Sequence, residues 1–161
     1  MGVGPMASVA GTIAELALEA MIENGAEYCI VENGGDIAMF TDEEVRVGLY
    51  TGKSEGLCMI VPPTKIGICT SSGTLGHSIS FGGADAATVI SKSVSVADAG
   101  ATLLGNSVRE NVSNVFCELE KRDEQGLIDG AVVVKNDKIA LFGNVPKLVR
   151  TKIPTELITM G

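Results

Sequence analysis

The fold is decided by the stretch of residues 67–107, which opens with Gly67-Ile-Cys-Thr-Ser-Ser-Gly-Thr74 and continues to Val96-Ala-Asp-Ala-Gly-Ala-Thr102. The first part is an apolar strand that runs into a polar loop, Thr70-Ser71-Ser72-Gly73, and the second begins a helix. On that helix Asp98 and Thr102 are four residues apart, so both oxygens face one point. Such oxygens suit Mg2+, and the loop suits phosphates. The stretch therefore predicts a metal-assisted pocket for a phosphorylated ligand.

Composition indicates one domain over residues 1–161 with a core of small aliphatic side chains. The chain is 45% hydrophobic but only 4% aromatic, and its length allows a sizeable core. The net charge is −8, with no basic cluster longer than Lys121-Arg122. We therefore expect no nucleic-acid partner, because phosphate contacts need a Lys/Arg surface.

The cysteines and the apolar pattern predict a cytoplasmic protein. Cys29, Cys58, Cys69 and Cys117 form no C-x-x-C pair, which favours reduced, mostly buried thiols. We find no run of about 18 apolar residues that would cross a membrane and no basic leader of a signal peptide. We therefore expect no membrane partner.

Periodicity predicts an α+β fold, with helices packed on one face of a mostly antiparallel sheet. Helical patterns cover residues 6–24, 95–106 and 111–121. Strand patterns cover residues 28–31, 37–40, 45–50, 56–61, 65–69 and 85–92, and we expect the run of short strands before residue 70 to form a meander. A hairpin is predicted for residues 131–142, and the tail after residue 144 is expected to be an edge strand or extended. No G-x-G-x-x-G follows a strand, which counts against a doubly wound nucleotide-binding fold.

Two interpretations of Asn33-Gly34-Gly35-Asp36 are compatible. Asn-Gly and Gly-Gly are strong hairpin signals because they tolerate positive φ. A Gly-Gly turn also lets a ligand ring approach the backbone, with Asn33 and Asp36 offering hydrogen bonds.

The other candidates have ordinary structural alternatives. Ser95-Val-Ala-Asp98 fits a capping box, which would make Asp98 a surface residue at a helix start. The loop at residues 70–74 fits a plain polar loop. His77, the only histidine, fits a core or surface position as well as a proton-transfer role, and a triad of Ser71 or Ser72 with His77 and Asp98 stays open.

Four fragments in this order resemble the motifs of the ApbE-like superfamily: Asn33-Gly-Gly-Asp36, Thr70-Ser-Ser-Gly73, His77 and Ala97-Asp-Ala-Gly-Ala-Thr102. The family patterns read N-x-G-G-[DE], T-S-G, H-x-I and A-D-A-x-A-T. The resemblance runs from about Gly11 to Gly143, and it is closest to a short branch of the superfamily. Its founding members are Mg-dependent flavin transferases that bind FAD and move FMN onto a Thr or Ser of a target protein.

The resemblance implies a T-fold-like α+β arrangement and a set of roles. Asp98 and Thr102 are similar to the family's Mg2+ ligands. Residues 33–36 (Asn33, Gly34, Gly35, Asp36) and 70–73 (Thr70, Ser71, Ser72, Gly73) would line a site for FAD or FMN. His77 would aid proton transfer, and the partners would be a phosphorylated small molecule and a target protein.

Departures from the family pattern keep other functions open. The residues that match the family's Ile-Ala-Lys-Gly segment, Gly4 to Gly11, contain no lysine, and the loop after His77 is short. The family's N-terminal region is not matched, so we expect an exposed apolar face that a homodimer would cover. One alternative is a non-catalytic binding or assembly protein. Another is a sulfur-assimilation protein that uses Cys69, with a pKa depressed by a helix start.

Overall fold

The computed structural model describes residues 1–51, 55–73, 83–108, 114–136 and 138–152. In these ranges the helices are α1 (Val9–Glu23), α2 (Val94–Ser107) and α3 (Cys117–Arg122), with a 3-10 turn at Pro5–Ser8 before α1. The strands are β1 (Cys29–Asn33), β2 (Asp36–Thr41), β3 (Val45–Leu49), β4 (Glu55–Val61), β5 (Thr64–Ser71), β6 (Ala86–Ser91), β7 (Ile128–Lys135), β8 (Lys138–Gly143) and β9 (Lys147–Lys152).

The strands form two antiparallel sheets. Six strands follow the order β1-β2-β5-β6-β7-β8, and three others follow the order β3-β4-β9. The predicted α+β class with an antiparallel sheet is confirmed. The predicted continuous meander is wrong, because β2 pairs directly with β5 while β3 and β4 leave for the second sheet.

The reason for the second sheet is that the six-stranded sheet is buried on both faces. Ala38 and Cys69 pack in the core beneath α1 and α2, whereas their chain neighbours Met39 and Ile68 pack in the core that the second sheet shares. Adjacent side chains of a strand point to opposite faces, so each face needs its own cover. The molecule therefore has three layers, with helices on one face of the large sheet and the small sheet on the other.

The segment that contains α1 carries apolar side chains on its exposed side as well as on its buried side. Pro5–Glu23 spans 19 residues and contains an 18-residue window with a mean hydropathy of 1.3, enough by length and composition to cross a membrane. The prediction that no stretch is long and apolar enough to cross a membrane is therefore wrong. In the structure Ala14 and Leu18 pack in the helix–sheet core, and Ile13 and Leu16 remain exposed. One such helix is weak evidence for a membrane span, so the absence of a membrane partner stays a prediction. The predicted homodimer also stays a prediction.

The amino end of α2 is capped by a side chain from α1. Ser93 lies at the N-cap position, but its side chain makes no capping hydrogen bond to a backbone N–H of the helix. Instead, the Val94 N–H donates to Glu15 Oε1 at 3.1 Å and the Ser95 N–H donates to Glu15 Oε2 at 3.0 Å. This carboxylate satisfies two N–H groups that have no partner within α2 and faces the positive end of the helix dipole.

Replacing Glu15 by glutamine is expected to lower the free energy of unfolding by about 1–2 kcal/mol. The neutral amide keeps one acceptor oxygen but loses the charge that strengthens both hydrogen bonds. The control is Glu19→Gln on the same helix, whose half-exposed ion pair with Lys65 contributes less than about 1 kcal/mol. Urea denaturation measures both variants, and equal losses would contradict the capping role.

Two elements differ in extent from the sequence prediction. The helix predicted for residues 111–121 begins only at Cys117, and Asn114 before it has a φ of 60°, which no regular right-handed helix continues through. Residues 109–113 lie outside the described ranges. The tail, expected as an edge strand or extended chain, forms β9 against β4 at the edge of the small sheet.

Candidate functional site

The turn between β1 and β2 is a two-residue hairpin. Gly34 and Gly35 have φ values of 64° and 98°, a region that favours glycine, and Asn33 pairs with Asp36 across the turn. The Asn33 Nδ2 donates to the Ala10 carbonyl at 3.1 Å, which ties the hairpin to the start of α1. The hairpin interpretation is confirmed, and the ligand-binding role of these four residues stays a prediction.

The hairpin places Asp36 against Asp98. Both side chains are buried, and they are hydrogen-bonded to each other. The Gly11 N–H donates to Asp98 Oδ2 at 2.8 Å. Asp36 is also hydrogen-bonded to the Cys69 thiol and to the Thr70 backbone. Four elements, α1, α2, β2 and β5, therefore meet at one pair of carboxyl groups.

The two carboxyl groups hold their protons differently. Burial, followed by the charge of Asp98, raises the pKa of Asp36 to about 7. Burial also raises the pKa of Asp98, and the hydrogen bonds from Gly11 and Asp36 make this rise smaller. In the hydrogen bond between the two groups, Asp36 is the donor and Asp98 the acceptor. Buried carboxyl pairs with shifted pKa values are typical of binding and catalytic sites.

The capping-box interpretation of Asp98 is wrong. The helix begins at Val94, Ser95 is its second residue, and Asp98 is only 8% exposed and bonded to α1. Thr102 follows one helical turn later and is half-buried. The two predicted metal ligands therefore lie on the same face of α2.

The hydroxyls of the predicted polar loop divide between different partners. Thr70 Oγ1 is hydrogen-bonded to Thr88 Oγ1 at 2.9 Å, on the face of the sheet opposite to Cys69, because side chains alternate along β5. Ser72 Oγ donates to the Asp85 carbonyl at 2.8 Å. The two hydroxyls thus connect β5 and the residue after it to β6 and the residue before it.

For Ser71 and Gly73, the structure gives the position in the strand and one backbone hydrogen bond. Ser71 is half-buried and, two residues after Cys69, lies on the helix-facing side of β5. The Gly73 N–H donates to the Ala84 carbonyl at 3.0 Å. His77 lies outside the described residues, so its catalytic role stays a prediction.

Cys69 is not the reactive thiol that the sequence suggested. It is fully buried, and its Sγ contacts the Val94 carbonyl at 3.5 Å. Burial, together with the charges of Asp36 and Asp98, raises the pKa of this thiol far above its usual range. The helix start that was expected to depress the pKa is outweighed by burial and by the two carboxyl groups. The expectation of a depressed Cys69 pKa is therefore wrong, and the sulfur alternative loses the argument that supported it.

Thiol labelling of the folded chain is expected to modify Cys117 first. Cys117 is exposed, while Cys29, Cys58 and Cys69 are buried. With a disulfide reagent we expect one fast thiol per chain and the other three only after denaturation. The control is Cys117→Ser, which should abolish the fast phase. Labelling of Cys69 at the rate of Cys117 would contradict the buried, protonated state.

Sequence analysis missed the contribution of Gly11. A Cβ at this position would lie 2.7 Å from the Asp98 Cβ, closer than carbon atoms pack. Only the missing side chain lets α1 and α2 approach until the Gly11 N–H reaches Asp98. A glycine near the start of an otherwise apolar helix was the single local signal.

With this geometry, the class of protein is defined by structural comparison. The flavinyl transferase ApbE from Pseudomonas stutzeri matches 88% of this chain and 48% of its own, with a TM-score of 0.56 and 18% sequence identity. The flavin transferase ApbE from Vibrio cholerae matches 86% of this chain and 48% of its own, with a TM-score of 0.58 and 18% identity. The chain therefore has an ApbE-like fold, and likeness at this identity shows the fold alone.

The chain belongs to the family described as AbpE bacteria, whose model matches residues 1–140. A UPF0280 protein of Methanothrix thermoacetophila is 50% identical over 99% of this chain and 68% of its own length. A UPF0280 protein of Methanocella arvoryzae is 51% identical over 99% of this chain and 66% of its own length. The chain thus spans about two thirds of the length of these relatives. The predicted membership of the ApbE-like superfamily is confirmed.

Proposed function

We propose that this chain binds a flavin nucleotide, FAD or FMN, together with Mg2+ at the end of the sheet where Asp36 and Asp98 meet. Mg2+ would be held by Asp98 and Thr102, and the nucleotide would lie against residues 33–36 and 70–73. FMN transfer from FAD to a hydroxyl of a target protein is the corresponding activity. The ApbE-like fold supports the class of ligand, since flavin transferases share it.

The observation that carries the proposal is the buried carboxyl pair itself. Asp98 is buried and has a raised pKa, with Asp36 as its hydrogen-bonded neighbour. Among the residues that the structure describes, neither has a salt bridge. Burying a carboxylate without a cation lowers stability, and a bound cation would offset this cost.

The donors near Asp98 suit magnesium. Two carboxyl groups and a threonine hydroxyl are oxygen ligands, which Mg2+ prefers. In the described part of the chain, no group of three or more His, Cys, Asp or Glu side chains would hold a metal by itself. This fits Mg2+, because the ion keeps waters or substrate phosphates in its shell.

Different residues of the chain would contribute to binding the metal and the nucleotide. When bound, Mg2+ would neutralise charge on a pyrophosphate. Asp98 supplies the negative charge, and Gly11 fixes the orientation of its carboxylate. Asp36 releases a proton near neutral pH, so its carboxyl group can become a second charged oxygen donor. The Gly34-Gly35 turn leaves room for a ring beside the backbone, since nothing would contact a Cβ at Gly34.

The test is a titration of the metal-stripped chain with FAD, with and without Mg2+, followed by flavin fluorescence. We expect Mg-dependent binding that weakens by roughly tenfold or more in Asp98→Asn. The control is Asp42→Asn, which removes the same charge from an exposed position. An FAD affinity that changes neither on addition of Mg2+ nor in Asp98→Asn would contradict the proposed site.

Chromatography of the same samples separates an enzyme from a binding protein. Release of AMP on incubation with Mg2+ and a target peptide would support transfer. Mg-dependent binding without cleavage would favour the non-catalytic alternative, which the absence of a lysine between Gly4 and Gly11 already suggests.

A further inference from the structure

A cavity of about 320 Å³ opens between the two sheets. Its described lining includes Leu57 of β4, Val134 of β7, Ile139 of β8 and the basic residues Arg150 and Lys152 of β9. Val134 and Leu57 belong to the core between the sheets. The cavity therefore lies on the face of the large sheet opposite to the helices and is separate from the Asp36–Asp98 pair.

One side of this cavity is apolar. Leu57 and Val134 are almost fully buried, and Ile139 is 40% exposed. The volume is at the small end of the range of roughly 300–1,000 Å³ that is usual for ligand pockets. An apolar surface of this kind would accept a short hydrocarbon chain or a ring.

The other side of the cavity is cationic. Leu148, Arg150 and Lys152 alternate along β9 and so share one face of the strand. Because Leu148 packs against the inter-sheet core, Arg150 and Lys152 are directed to the same inner side. Among the side chains that the structure describes, neither has an ion-pair partner. Both side chains are exposed at the open side of the cavity, and Glu55 lies opposite Lys152 in the register of β4 and β9.

We propose that the inter-sheet cavity binds an organic anion, with its apolar body against Leu57, Val134 and Ile139 and its carboxylate or phosphate at Arg150 and Lys152. Charge complementarity favours an anion, since Arg150 and Lys152 both line the cavity and only Lys152 has an acidic residue, Glu55, opposite it in the register of β4 and β9. The competing explanation is that inward charges protect β9, the edge strand of the small sheet, from pairing with another chain.

The experiment titrates the isotope-labelled chain with octanoate and follows amide chemical shifts. We expect saturable shifts at Leu57, Val134 and Ile139, and binding weakened by about tenfold when Arg150→Ser and Lys152→Ser are combined. Octyl phosphate in a parallel titration shows which head group is preferred. Octylamine, with the same chain and a cationic head, is expected not to bind.

Matched variants separate the cavity from general surface effects. Lys147→Ser removes one cation from the outer face of β9, and Leu141→Ser removes an exposed apolar side chain of β8 that does not line the cavity. Both should bind like the parent chain, whereas Ile139→Ser should bind more weakly. Three results would overturn the proposal: chemical-shift changes scattered over the chain, octylamine binding as tightly as octanoate, or Lys147→Ser weakening binding as much as the combined Arg150→Ser and Lys152→Ser variant. Protection of the strand edge would then remain as the role of the cations. The result does not depend on the flavin site.

Discussion

Replacing Gly11 by alanine is expected to lower the free energy of unfolding by about 2–3 kcal/mol. The new Cβ would lie 2.7 Å from the Asp98 Cβ, 2.9 Å from the Val94 carbonyl oxygen and 3.1 Å from Asp98 Oδ2. Two of these three atoms belong to the side chain of a buried residue and the third to the backbone of α2, so none can move aside freely. The helices must separate, which strains a close-packed core.

The same substitution is expected to weaken Mg-dependent FAD binding. Separation of α1 from α2 lengthens the hydrogen bond from the Gly11 N–H to Asp98, which is 2.8 Å in the native chain. The control is Gly4→Ala, because a Cβ at Gly4 meets nothing within 4 Å. Urea denaturation and the FAD titration measure both effects. A Gly11→Ala chain as stable as Gly4→Ala would show that the helices do not approach this closely.

The stability of the parent chain in metal-free buffer is expected to fall between about pH 4 and pH 7, by at most about 4 kcal/mol. In this window the unfolded chain has released the Asp36 proton, whereas the folded chain still holds it because its pKa is raised from 3.8 to about 7. The folded state therefore binds more protons, and its stability decreases as pH rises. Above about pH 7 the Asp36 contribution becomes level, because both states are ionised.

Asp36→Asn is expected to remove most of this pH dependence and to make the chain more stable than the parent at pH 8. The amide cannot ionise, yet its NH₂ group can still donate to Asp98. The control is Asp42→Asn, an exposed position that should leave the slope unchanged. Urea denaturation at several pH values gives the profiles. A slope in Asp36→Asn equal to that of the parent would place the titrating group elsewhere.

This prediction connects stability with function. A carboxyl group that destabilises the folded chain when it ionises is retained at a cost, and sites of binding or catalysis are where such costs are common. Mg2+ bound beside Asp98 would offset the charge of Asp36. Stability at pH 8 should therefore rise on addition of Mg2+ in the parent more than in Asp98→Asn.

Much of the local structure and part of the site follow from the sequence. The helix from Val9 to Glu23 and the hairpin at residues 33–36 follow from apolar periodicity and from paired glycines, which act within a few residues of each other. The spacing of Asp98 and Thr102 follows equally from the 3.6-residue period of a helix. The motif order was enough to indicate the ApbE-like fold.

Only the tertiary structure decided which of these residues meet. The pairing of β2 with β5, the separate sheet of β3, β4 and β9, and the contact of Asp36 with Asp98 join residues far apart in the chain. The burial of Cys69 beneath α2 reversed its expected reactivity for the same reason. Local periodicity specifies which face of an element is apolar, but the partner of that face is chosen by packing of the whole chain, in which every buried face must be covered.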